Sequence, residues 1–375
     1  MRPLEGLLVL DFSSLLPGPM ATLMLAEAGA EVIKVESLSG DGMRAYTPKW
    51  GTDSAIFAML NAGKKSISVD LKDEAGKKQI QALAARADVV VEQFRPGVMT
   101  RLGLGYTEMA QINPRLIYCS ITGYGQTGPK QAAAGHDLNY AGESGLLALS
   151  MGDVSDAVLP PTPIGDIGGG SYPAMINILL ALEERRRTGR GSHLDIAMSE
   201  NLFPFAYWAM ASGFSTGDWP GNGTHLVTGS SPRYRVYATR DGQGLVVAAL
   251  EPKFWTIFCE TIGLDAALRD DSINSEATRR EIARIVGSED AAVWNERLAG
   301  ADCCCSIIVD LKSAIDDPHF VARGVFARRV SNERGDNMPA LPVPIDRAFR
   351  KPPAYTGKAP ALGQDNSLLV AGAAE

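Results

Sequence analysis

Short apolar runs alternate along the first third of the chain with longer stretches in which apolar residues recur every three or four positions. Residues 7–12 form an apolar run suited to a buried strand, 19–28 have helical spacing ending at Gly29, and 31–36 are β-branched again. That succession is a βαβ unit. It continues with strands predicted over 66–71, 89–92 and 116–121 and helices over 74–87 and 106–113. Strands separated by helices imply an α/β fold with an open, largely parallel sheet whose faces are covered. A long helix is expected over 172–187, basic at its end where cations suit the helix dipole. Thr188-Gly189-Arg190-Gly191 breaks it, and a strand is expected over 193–196.

The pattern changes at 212–231, a stretch rich in Gly, Ser, Thr and Pro with Phe214 and Trp219 as its large aromatics. It reads as a crossover between domains. Beyond it, runs at 234–238 and 245–249 flank Asp241-Gly242, a hairpin signal, and 254–262 is helical, which suits a smaller α+β domain. The polar, proline-rich tail over 335–363 is expected to run over a surface and to pack in pieces. At 375 residues the chain exceeds the size of one ordinary core. With 45% hydrophobic and 21% charged residues it is expected to be globular, and a net charge of -7 argues against general nucleic-acid binding. The apolar run near the N-terminus is too short for a secretion signal and no stretch approaches a membrane span, so the expected setting is the cytoplasm with no membrane partner. Five cysteines, three of them adjacent at Cys303, Cys304 and Cys305, lack zinc or thioredoxin spacing. Ile307, Ile308 and Val309 suggest that the triplet leads into a buried strand, where Cys packs as a small hydrophobe.

Candidate chemistry gathers at two places. Asp166 stands in Pro-Ile-Gly-Asp-Ile-Gly-Gly-Gly, where the flanking glycines carry no side chains to shield its carboxylate, although a turn or helix cap accounts equally well for such an Asp. His136, in Gly-His-Asp-Leu-Asn-Tyr, is one of only four histidines, and imidazole titrates nearest neutral pH. A lone His is also a common structural residue, and Asp137 reads as a cap or an orienting group. Gly123, Tyr124 and Gly125 open a run that formally matches a dinucleotide fingerprint. Pro129 and a short Ala run leave little room for the helix that would hold a pyrophosphate. A glycine loop whose N–H groups approach a carbonyl or thioester oxygen fits better. Lys34, Arg44, Lys64, Lys65, Arg95 and Arg101 follow predicted strands, where an open α/β sheet binds ligands, so they are candidates for a phosphorylated ligand as well as for solvated surface. Arg95 is aimed by Pro96-Gly97. Glu251 alone reads as a surface or capping carboxylate.

These residues resemble the family III CoA-transferases, the CaiB/BaiF family, and within it the α-methylacyl-CoA racemases. The resemblance covers nearly the whole chain: Leu4-Glu-Gly-Leu-Leu-Val-Leu-Asp-Phe with Pro17-Gly-Pro, residues 25–36 and 61–71, Phe94-Arg-Pro-Gly-Val with Leu102-Gly-Leu-Gly, residues 121–129, and Asp317-Pro-His-Phe-Val-Ala-Arg-Gly. It implies a large α/β domain built from both chain ends (1–211 and 325–375), a crossover at 212–231, a small domain over 232–324, and two subunits interlocked like rings. It implies that Asp166 is the active-site aspartate, nucleophile in transferases and acid/base in racemases. His136 matches the racemases' histidine and Glu251 the glutamate that partners it. Lys34, Lys65, Arg95 and Arg101 fall where the family surrounds CoA with cations. Lys34 departs from a frequent arginine, and a guanidinium stacks better on adenine.

The implied reaction inverts the carbon α to a CoA thioester by 1,1-proton transfer, with His136 and Asp166 on opposite faces and the glycine loop at the enolate oxygen. It calls for no metal or redox cofactor, since CoA belongs to the substrate. The alternatives are CoA transfer between carboxylic acids through an aspartyl-CoA thioester on Asp166, and a CoA-binding protein without catalysis. Met198, Phe203, Phe205, Tyr207, Trp208 and Met210 are candidates for the acyl pocket, though their spacing equally suits a core helix.

Overall fold

The computed structural model describes residues 2–150, 159–160, 162–352 and 354–371. Six strands, β1 (Leu8–Asp11), β2 (Glu31–Glu36), β3 (Lys65–Ser68), β4 (Val89–Glu92), β5 (Ile117–Thr122) and β6 (His193–Ala197), form one sheet in the order β3-β2-β1-β4-β5-β6. Every pairing is parallel. The strands are nearly continuous apolar runs because helices cover the sheet; β5, Ile-Tyr-Cys-Ser-Ile-Thr, is buried at all six positions.

The helices that position the site are α1 (Pro17–Glu27), α2 (Glu74–Ala84), α3 (Tyr106–Ile112), α4 (Asp137–Glu143) and α5 (Tyr172–Thr188). In α1 all eleven residues are buried, so it is apolar on every side, and Pro17 starts it two residues before the apolar spacing does. The Asp73 carboxylate caps α2 by accepting from Ala75 N and Gly76 N. Gly189, at φ 72°, ends α5 as the sequence suggests. Leu10, Ile33, Ile67, Val90 and Tyr118 from the sheet pack with Ile80, Leu83 and Met109 from α2 and α3 in one core.

The chain divides into two compact units, Met1–Ser144 with Pro160–Phe205 and Asp317–Glu375, and Gly145–Leu159 with Ala206–Asp316. The second unit takes in 212–231, so that stretch is part of a compact body and begins inside a helix, Tyr207–Thr216. Within this unit β7 (Tyr234–Ala238), β8 (Gly244–Ala248) and β9 (Cys305–Ile307) pair antiparallel in the order β9-β8-β7. Helices α6 (Pro252–Ile262), α7 (Ser275–Val286) and α8 (Ala291–Leu298) supply a separate core around Trp255, Phe258, Ile282 and Trp294.

Two expectations are corrected. The third strand ends at Ser68, where the chain turns through Asp70. The strand at the Cys triplet is Cys305–Ile307 and lies at an edge, with Ile308 50% and Val309 59% exposed, so it is not buried. The 335–363 tail lies largely at the surface and packs in pieces: two strands, Asn337–Pro339 and Thr356–Lys358, flank Arg329–Ser331 in a third sheet.

Candidate active site

The sheet order reverses between β1 and β4: the chain builds outward to β3 on one side, then crosses to start β4 on the other. Loops leaving adjacent strands in opposite directions open a crevice at their carboxyl ends. A cavity of about 290 Å³ lies there, lined by Leu15 and Pro17 after β1, Gln93 to Pro96 after β4, Thr122 to Tyr124 after β5, and His136, Tyr140, Asp166 and Met198.

A buried polar network sets the β1 wall. The Asp11 carboxylate, fully buried, accepts from Ser13 N at 3.0 Å, Thr22 Oγ1 at 2.6 Å and Lys64 Nζ at 3.1 Å. Burial alone would raise the Asp11 carboxyl, but the Lys64 and Lys34 ammonium groups outweigh it and hold it at about 2. Burial lowers Lys64 to about 8 against the pull of Asp11. Leu15 is held at φ 61°, a strained conformation for a residue other than glycine, and Gly18 N donates to Gln93 Oε1 at 3.1 Å, tying the β1 loop to the β4 loop. On the β4 side, Glu92 accepts from Phe94 N at 2.8 Å.

Asp166 sits in the first turn of a π-helix, Gly165–Ser171, that runs straight into α5. Asp137 Oδ1 accepts from Asp166 N at 2.8 Å, so the residue after His136 anchors Asp166. Burial, and then the Asp137 charge, push the Asp166 carboxyl up to about 6, with His136 opposing. His136 is exposed at the start of α4, and its N–H donates to Asn139 Oδ1 at 3.0 Å. Tyr140 lies between them and donates to Gly135 O at 2.6 Å; burial, then the Asp166 charge, raise its phenol to about 12. Two titratable side chains with environments this different, one half-buried and one exposed, face one cavity.

The glycines near Asp166 serve packing. A β-carbon on Gly169 would collide with Met198 O, one on Gly168 would lie 2.8 Å from Phe205, and one on Gly170 would lie 3.0 Å from Pro17. They let a wide helical turn press against α1 and the chain after β6, rather than opening Asp166 to a ligand. The 123–128 loop also differs from expectation. Gly125 N donates to Thr122 Oγ1 and Gln126 N to the Asp195 carboxylate, so neither is free for a substrate oxygen. Gly123 and Tyr124 line the cavity, whereas Gly125 lies against Asp195.

Of the expected cations, only Arg95 lines the cavity. Lys34 is fully buried, donating to Ser13 O at 2.8 Å and pairing with Asp41 at 2.9 Å, so it offers no group to a ligand. Lys64 is bound within the Asp11 network, and Arg44 within an ion pair to Glu36 and Asp53. Lys65 pairs with Glu31 across the start of β2 and β3, at the edge of the sheet away from the crevice. Arg101 is exposed, its guanidinium near Gly97. Glu251 belongs to the second unit, at the N-cap of α6, where no side-chain capping bond holds it. Met198 lines the cavity, while Phe203, Phe205 and Tyr207 are exposed, so they do not form a core helix. Gln93 and Tyr140 were not singled out from sequence; Tyr140 carried a signal, four residues after His136 on one helical face. Among the described residues no three His, Cys, Asp or Glu side chains group as metal ligands would. No helix among them is long and apolar enough to cross a membrane.

A parallel sheet with a perturbed carboxyl in the crevice at its switch point defines an α/β enzyme site. The chain belongs to CoA-transferase family III, whose family model matches residues 4–366. It is thereby an enzyme of the CoA-transferase and racemase kind. It is 31% identical to the α-methylacyl-CoA racemase of Mus musculus, over 96% of this chain and 91% of that protein. It is 32% identical to the acetyl-CoA:oxalate CoA-transferase of Acetobacter aceti, over 98% and 95%. A CaiB/BaiF family protein from Brucella suis, known from its crystal structure, superposes with a TM-score of 0.83 at 28% identity, covering 99% of both chains.

Proposed function

We propose that this enzyme epimerises the α-carbon of a 2-methylacyl-CoA thioester by 1,1-proton transfer. The observation that carries the reading is that His136 and Asp166 face one crevice, with Asp166 raised to about 6. A carboxyl with that value is roughly one-tenth protonated at pH 7, so it both takes and returns a proton within the working range. In the forward direction His136 removes the α-proton from one face, the electron pair moves onto the thioester oxygen as an enolate, and protonated Asp166 returns a proton to the other face. The reverse direction exchanges the two roles. Gly123 N and Tyr124 N donate to no acceptor among the described residues, and in this reading they face the enolate oxygen. Arg95 takes a phosphate of CoA. Pairing of two copies belongs to the same reading, supported by the exposed Ile176 and Leu180 on α5.

CoA transfer between carboxylic acids is the second reading, favoured by the equal identity to a transferase. There Asp166 attacks the thioester carbonyl, expels CoA thiolate to form an anhydride, and is converted by that thiolate to an aspartyl-CoA thioester as the carboxylic acid leaves. Incubation with a 2-methylacyl-CoA in D2O, with and without an acceptor acid, followed by mass spectrometry, separates the two. Deuterium at the α-carbon without an acceptor supports epimerisation. Acyl exchange that needs the acceptor, with no deuterium uptake, overturns it in favour of transfer. Neither outcome on any acyl-CoA leaves a CoA-binding protein.

A further inference from the structure

A second cavity, of about 70 Å³, is lined by Arg323, Arg328, Arg347, Arg350 and Lys351 together with Gly324 and Val325. It lies at the far end of α1 from the crevice. Pro17, the first residue of that helix, lines the catalytic cavity, and Glu27, the last, pairs with Arg328. Eleven residues at 1.5 Å each put about 16 Å between those ends. Among the described residues, Arg328 is the one cation of the five with a carboxylate in an ion pair. Even so, its Nε is buried with no hydrogen-bond partner. Among the described residues the Arg350 guanidinium donates only to Val343 O at 3.4 Å, and Lys351 lies over the Tyr355 ring at 3.7 Å. Asp346 is nearby, but its Oδ1 accepts from Ala348 N. Burial, and then the repulsion of Arg328, hold the Arg350 guanidinium below its usual value. Five cations thus face one small space against two carboxylates, Glu27 paired with Arg328 and Asp346 near Arg350, an excess of positive charge that an anion would relieve.

We propose that the cavity between Arg323, Arg328, Arg347, Arg350 and Lys351 binds a phosphate-type oxyanion. A single water needs only about 10–15 Å³ of such space, so a cavity of about 70 Å³ admits a tetrahedral oxyanion. Guanidinium groups present paired donors that match the geometry of phosphate oxygens. The anion is either free or the terminal phosphate of a larger molecule whose remainder lies outside. The inference does not depend on which reaction the crevice performs.

The test is calorimetric titration of the full-length protein with inorganic phosphate in a low-salt chloride buffer at pH 7, alongside thermal melting. The wild type is expected to bind phosphate and to melt higher in its presence. The double variant Arg347→Ala/Lys351→Ala is expected to bind at least tenfold more weakly and to lose that melting shift, while melting at or above the wild type in chloride alone because two like charges are gone. Asp166→Asn is expected to bind phosphate as the wild type does, which keeps this outcome separate from that of the reaction. Parallel titrations with CoA and dephospho-CoA identify the source. CoA binding unchanged in the double variant indicates a free oxyanion. CoA binding weakened with dephospho-CoA unaffected indicates the 3′-phosphate. Absence of phosphate binding by the wild type, or equal binding by the double variant, overturns the proposal.

Discussion

At the scale of single residues, Asp166 is where chemistry and stability oppose each other. Burial, and then the Asp137 charge, push its carboxyl up to about 6 in the folded chain, above the ordinary aspartate value of 3.8. Below about pH 4 both folded and unfolded chains hold the proton, so the group costs nothing. Between 4 and 6 the unfolded chain releases its proton first, and stability falls as pH rises; above 6 the full cost is present. Because Asp166 is only partly buried, that cost is discounted to roughly 1–2 kcal/mol. Asp166→Asn is therefore expected to lower kcat about 10²–10⁴-fold while melting higher than the wild type at pH 8, with the difference vanishing near pH 4. Equal melting of the two at pH 8 would show that the site does not strain this carboxyl. His136 was visible in the sequence because imidazole titrates near neutrality, and Asp166 because of its glycine-lined setting and the family resemblance. Lys34 shows the limit: it was expected to be a ligand-facing cation, yet it lies within β2 and points into the network around Ser13 and Asp41.

At the scale of elements, the π-helix Gly165–Ser171 is the feature that sequence spacing did not reveal. Hydrophobic periodicity placed the helix start at Tyr172, since a run of glycines carries no apolar side chains to show a period. Its formation depends on a close approach to Met198 that only glycine permits. Gly169→Ala forces a β-carbon onto a backbone oxygen that has little room to move. The expected cost is about 1–3 kcal/mol, together with a loss of kcat as Asp166 is displaced. Thermal melting and steady-state kinetics check both, and an unchanged kcat in a destabilised protein would separate the glycine from the site. Elements with strong periods were legible to within a few residues: the helix expected over 106–113 is Tyr106–Ile112, and the hairpin around Asp241-Gly242 joins β7 and β8.

At the scale of the whole molecule, the Asp11–Lys64 pair connects β1, α1 and the segment entering β3 at the base of the crevice. Removing only the cation strands a carboxylate in the interior. Lys64→Met is expected to cost about 3–5 kcal/mol, and adding Asp11→Asn to recover much of it. Denaturant unfolding of the two single variants and the double variant measures the coupling; additive costs would mean that the pair does not act as one unit. The pair holds the loop with Leu15 in place, so the double variant is expected to regain stability before it regains activity.

From sequence alone came the α/β class, the parallel sheet, the two candidate proton carriers and the family resemblance, because periodicity, turn residues and titration chemistry are local properties. Tertiary structure decided which strands became neighbours, and with that where the crevice opens. The order β3-β2-β1-β4-β5-β6 brings the carboxyl ends of β1 and β4 together although they lie 80 residues apart at Asp11 and Val91. It also decided which cations remain available: burial and partners withdraw Lys34 and Lys64 and leave Arg95 at the cavity. The cluster around Arg350 draws its charge from residues that sequence spacing does not relate. Nothing local to a residue reports the field of groups that meet it only after folding.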